Sequence, residues 1–131
     1  MSRMDTILGA MPDDWSAFEL AEEPLGASAT CVTVSGELNI ATAPDLRDRL
    51  TAAIDRGLTG LVLDLRNVTF MDSVAMATII HVRTQLGGRG RLAVVLDAES
   101  YTQLVFEIAG LPRCLDLFET RDEAVRHVTN G

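Results

Sequence analysis

The apolar positions of this chain change period along its length, and each change marks an element. Residues 1–14 hold Gly9, Pro12 and paired acids without a clear period, and read as a loose N-terminal extension. Trp15 to Leu20 alternates apolar and polar side chains, which predicts an edge strand. Glu22, Glu23, Pro24 and Gly26 read as a turn. Thr30 to Val34 predicts a second strand, ended by Gly36. Leu46, Leu50, Ala53 and Ile54 then recur at helical spacing. Thr42 suits the cap of that helix, Pro44 its first turn, Asp45 the positive end of its dipole, and Gly57 its stop.

Leu61 to Leu65 is a compact apolar run of strand length, the kind covered on both faces. A short loop leads to Asp72, where a helix begins that runs to about Leu86 and is broken by Gly87, Gly88 and Gly90. Leu92 to Leu96 predicts another buried strand. Tyr101, Leu104, Val105 and Ile108 mark a third helix, with Gly110 as its C-cap. Leu115 to Phe118 suits a last short strand. Thr120 and Glu123 form a capping box for a terminal helix carrying Ala124, Val125 and Val128. Strands alternate with helices from Leu61 onward, which predicts a mostly parallel sheet with right-handed crossovers. The first two strands precede any helix and are expected to pair as a hairpin. The reading is one α/β domain over residues 15–131, with four to five strands and about four helices.

Composition narrows the function. With 131 residues and 47% apolar content the chain can build one core without staples. Nineteen acids against eleven basic residues give a net charge of −8, which disfavours nucleic acid and anionic membrane surfaces as partners. All eleven basic residues are Arg; the chain has no Lys, which excludes a phosphate-binding loop Lys and a Schiff-base Lys. Cys31 and Cys114 belong to no Cys-x-x-Cys motif and read as buried, reduced thiols. No signal peptide or membrane-length apolar run is read, so a cytoplasmic location without membrane insertion is expected. His81 and His127 lack ligand-spaced companions, and neither a metal nor a cofactor is expected. Gly87-Gly88-Arg89-Gly90 follows a helix and precedes a strand, the reverse of a phosphate cradle. Asp64 reads as a hydrogen-bonded strand-end residue.

The informative stretch is Leu61-Val62-Leu63-Asp64-Leu65-Arg66-Asn67-Val68-Thr69-Phe70-Met71-Asp72-Ser73, an apolar strand running into a loop and a helix start. It resembles the STAS family, and in particular bacterial anti-sigma factor antagonists, whose pattern is Asp-Leu followed by Val-x-Phe-x-Asp-Ser-Ser/Thr-Gly. Val34-Ser35-Gly36-Glu37-Leu38 resembles the family's Gly-Glu-Leu-Asp turn. Phe106, Ala109-Gly110-Leu111, Phe118 and Glu123-Ala124 resemble its C-terminal half. The likeness covers roughly Trp15 to Val128. It departs at three positions: Val74 replaces the second hydroxyl residue, Ala75 the Gly, and Asn39 the Asp after Gly-Glu-Leu.

The resemblance implies a non-enzymatic binding switch. The unmodified chain would bind an anti-sigma factor that is also a Ser kinase, phosphorylation of Ser73 would release it, and a serine phosphatase would restore binding. Asp72, Ser73, Val74, Met76, Glu37 and Asn39 would form the partner-binding set. A monomer is expected, and an apolar partner face would allow a dimer. Residue chemistry agrees: a phosphoryl group beside Asp72 adds about −1.5 to −2 charges where a partner would dock. Asp and Ser are also ordinary helix-cap residues, so a purely structural role stands beside the functional one. The three departures suit an alternative, an unswitched STAS scaffold subunit of a regulatory or transport assembly. The helix after Ser73 is apolar nearly all round; Ile79 and Ile80 are expected in the core, while Met76 suits either the core or a partner contact.

Overall fold

Alternating apolar side chains that are covered on both faces make the centre of the sheet. The computed structural model describes residues 18–130. Five strands lie in the order β1-β2-β3-β4-β5: β1 Glu19–Pro24, β2 Ala29–Leu38, β3 Gly60–Met71, β4 Arg91–Val95 and β5 Asp116–Phe118. Strand β1 is antiparallel to β2, the expected hairpin, and the other pairings are parallel. The helices are α1 Ala43–Asp55, α2 Ser73–Leu86, α3 Tyr101–Ile108 and α4 Arg121–Thr129. Val32, Val34, Leu61, Leu63, Leu65, Leu92 and Val94 face α1, α2 and Phe106 of α3. Ala29, Cys31, Val62, Ala93 and Val95 face α4 through Ala124 and Val128. The smaller residues lie where one helix suffices. At Gly90 a Cβ would sit 2.1 Å from the Thr59 carbonyl oxygen, so the chain passes there only without a side chain.

Several elements differ from the sequence reading. Glu22, Glu23 and Pro24 belong to β1, and the turn falls after them, around Gly26 at φ 81°. Pro24 is tolerated because β1 is an edge strand. Gly36 does not end β2. At φ 91° it sits between two register shifts against β3, and the strand continues to Leu38. The expected loop before Asp72 is strand as well: β3 reaches Met71 by pairing with Ser35 to Leu38. The Thr42 hydroxyl does not cap α1; it donates to the Glu37 carbonyl and accepts from the Asn39 amide, both at 2.9 Å. Cys31 is buried and Cys114 exposed, both free, so only one fits the expected burial. In α3 the core side is Thr102 and Phe106, and Tyr101, Leu104 and Ile108 are exposed. Trp15–Ala17 and the boundary between residues 14 and 15 lie outside the described residues. Thr120 caps α4 as expected, its Oγ1 accepting from the Glu123 amide, while the Glu123 carboxylate accepts from that same hydroxyl.

Glu22 fastens the edge strand. Its carboxylate accepts from Thr30 Oγ1 at 2.9 Å and Arg56 Nη2 at 2.8 Å, with Arg49 at 3.7 Å, joining β1, β2 and α1. Burial alone would raise the Glu22 carboxyl pKa, but the Thr30 hydrogen bond and the Arg56 and Arg49 charges outweigh it, so the value lies below normal. A carboxyl with a depressed folded-state pKa adds stability above its unfolded pKa and loses it as pH falls through the folded one. Glu22→Gln should therefore be less stable than the wild type at pH 7, and the gap should close below about pH 4. Denaturant unfolding across pH checks this; a gap independent of pH would mean that the Glu22 charge contributes nothing.

Candidate functional site

The site lies beyond the carboxyl ends of β2 and β3, the end where open α/β sheets present their loops for binding. One residue, Asp72, separates β3 from α2. Its extended backbone starts the helix, and its Oδ1 accepts from the Ala75 amide at 2.9 Å, an N-cap. Its other oxygen, Oδ2, accepts from the Ile40 amide at 2.8 Å, 32 residues away in the chain. The Asp72 amide donates to the Leu38 carbonyl at 3.2 Å. A single carboxylate thus ties the start of α2 to the turn between β2 and α1.

Asn39 builds that turn. Its Oδ1 accepts from the Ala41 amide at 2.9 Å and the Thr42 amide at 3.2 Å. This is the ordinary Asx turn, in which a short polar side chain mimics backbone. The Asn39 side chain is therefore engaged within the fold. Glu37 is exposed beside it and is the register partner of Phe70.

Ser73 is the first residue of α2 and is exposed. Its hydroxyl has no hydrogen-bond partner among the described residues. Apolar side chains lie close by in the chain and through the Asp72 bridge: Ile40 is 67% exposed, Phe70 41% and Val74 40%. Val74, Ala77, Thr78 and His81 of α2 and Arg47 of α1 border a shallow recess of about 270 Å³. Met76 is half-buried and packs on the main core, as does Ile80, and Ile79 is fully buried. Of the expected partner set, Ser73, Val74 and Glu37 are exposed; Asp72 and Asn39 hold the loops in place.

Sequence reasoning missed Ile40 and Phe70 as surface residues. An apolar side chain inside the polar Asn39-to-Thr42 turn was the available signal for Ile40. Phe70 reads naturally as core, because the strand that holds it is buried up to Leu65.

The surrounding chemistry is quiet. Asp64, 4% exposed, accepts from the Arg66 amide, Nε and Nη2 at 3.1, 3.0 and 2.7 Å, hydrogen-bonded as expected but within β3 rather than at its end. Burial pushes the Cys31 thiol pKa up, away from the reactive thiolate. Among the described residues no three His, Cys, Asp or Glu side chains gather as metal ligands. No described helix is long and apolar enough to cross a membrane. What the site offers is an exposed hydroxyl set among exposed apolar side chains, a composition suited to contact with another protein.

Known proteins of similar sequence and fold place the chain in a family. An anti-sigma-B factor antagonist of Staphylococcus aureus is 30% identical over 80 residues, 61% of this chain and 74% of that protein. An anti-sigma-F factor antagonist of Mycobacterium tuberculosis is 27% identical over 100 residues, 76% of this chain and 81% of that protein. The crystal structure of an anti-sigma factor antagonist from Mycobacterium paratuberculosis superposes with a TM-score of 0.77 at 27% identity, covering 86% of this chain and 94% of that one. The sequence profile of the STAS domain matches residues 21–124, and the chain belongs to the STAS domain family.

Proposed function

We propose that this chain is an anti-sigma factor antagonist that binds an anti-sigma factor while Ser73 is unmodified and is released when a kinase, the anti-sigma factor itself, phosphorylates Ser73. A serine phosphatase resets it, and the chain performs no catalysis of its own. The observation that carries the reading is the exposed Ser73 hydroxyl at the first position of α2, without a hydrogen-bond partner among the described residues and close to exposed Val74 and Ile40. The names of the relatives support the role. Ala75, where the family has Gly, is fully buried and donates its amide to Asp72, so the added methyl is accommodated within the site.

A second reading is the unswitched scaffold, favoured by Val74, an exposed apolar residue where the family has a hydroxyl. Intact mass of the chain from its native cells, before and after phosphatase treatment, separates the two. A phosphate mapped to Ser73 supports the switch. An unmodified mass through growth and stress, with stable copurification of an assembly, assigns the scaffold.

A further inference from the structure

The described residues expose six large apolar side chains, and they fall into two groups. Ile40, Phe70 and Val74 belong to the Ser73 site. Tyr101 and Leu104, each 54% exposed, and Ile108, 78% exposed, all lie on α3. Their spacing of i, i+3 and i+7 aligns them along one side of the helix over about 10 Å. The fold does not need them there: α3 is anchored through Thr102 and Phe106. Beside the stripe runs a groove of about 460 Å³ lined by Glu99, Ser100, Tyr101, Gln103, Leu104 and Glu107. Its charged residues are both acidic, and Glu107 is held in place by the Gln103 side-chain amide at 3.0 Å.

We infer that the exposed face of α3 is a second docking surface, and that its occupant is a basic amphipathic helix of a partner protein. The apolar stripe calls for apolar anchors at helical spacing, and Glu99 and Glu107 call for Lys or Arg beside them. A second copy of this chain is a poor occupant, because it would bring the same two acids and a further net charge of −8. An anionic membrane is disfavoured by the same charge. This surface stands independently of the Ser73 switch.

The test is titration of the isotope-labelled full chain with a synthetic helical peptide of Leu and Lys, its Leu residues at i, i+3 and i+7. Saturable binding is expected, with amide shifts centred on Tyr101 to Ile108. Leu104→Ser combined with Ile108→Ser should weaken it about tenfold or more. Both positions are exposed and the change leaves the charge untouched, so attraction to acidity alone would survive it. Tyr101→Ser is the second variant, should the double substitution disturb the circular dichroism spectrum. The inference is overturned by equal binding to the variants, or by shifts spread over the acidic surface or centred on Ile40 and Val74. Sedimentation of the chain alone adds a further arm: a dimer abolished by the same substitutions would assign the face to a second copy and overturn it too.

Discussion

Replacing Asp72 by Ala should destabilise the domain by about 2–3 kcal/mol, and replacing it by Asn by about half as much. The Asp72 carboxylate makes two separable bonds, to the Ala75 amide and to the Ile40 amide. Alanine loses both: an N-cap worth about 1 kcal/mol and a charge-assisted bond of about 1–2 kcal/mol. Asparagine caps helices as well as aspartate does, so its single carbonyl oxygen can keep the Ala75 bond. Its amide nitrogen would then meet the Ile40 N–H, donor against donor. Asp72→Asn therefore isolates the link to the β2–α1 turn. The local readout is amide hydrogen exchange: the Ile40 amide should lose protection in both variants, the Ala75 amide only in Asp72→Ala. Equal stabilities, or an Ile40 amide that exchanges as in the wild type, would show that the bridge holds nothing. An unprotected Ile40 combined with weakened partner binding would further mean that Asp72 acts on the interface by holding Ile40 in place.

The elements after Leu61 were legible because buried parallel strands and amphipathic helices alternate there in pattern as well as in space. The end of β3 was not. Buried positions up to Leu65 are continuous, but beyond it they fall at Val68 and Met71, a spacing of three that belongs to neither strand nor loop templates. That segment is strand because it pairs with Ser35 to Leu38, whose register is displaced around Gly36, and such a long-range contact leaves no local mark. Helix α3 shows a different limit. Periodicity located the stripe of Tyr101, Leu104 and Ile108 but could not say whether that stripe meets the core; the core is met by Phe106 and Thr102. At the site, the capping role of Asp72 was readable from residue type, whereas its bond to Ile40 depends on how two loops come together. The motif that places Asn39 in the expected partner set gives no sign of the turn that its side-chain oxygen builds.

Phosphorylation of Ser73 should weaken binding of the anti-sigma factor about 100-fold or more, whereas Ser73→Ala should bind within about threefold of the wild type. The alanine result follows from the hydroxyl, which is exposed and makes no bond among the described residues that its removal would break. The phosphoryl result follows from what already occupies the helix end. The amides of a helix N-terminus ordinarily welcome a phosphate. Here the Ala75 amide is taken by Asp72, and that carboxylate is the neighbouring residue, so the dianion joins an existing negative charge. Where it projects among exposed Val74 and Ile40, a partner's apolar surface would have to desolvate it. Ser73→Asp adds one charge and less bulk, and should fall between the two. Salt distinguishes the causes: if long-range repulsion dominates, raising salt from about 0.1 to 1 M should recover much of the affinity, and if desolvation and bulk dominate it should not. The exposed apolar side chains of Val74 and Ile40 favour the second outcome. Equal binding by the unmodified, phosphorylated and Ser73→Asp chains would remove the switch and leave Ser73 as the first residue of a helix.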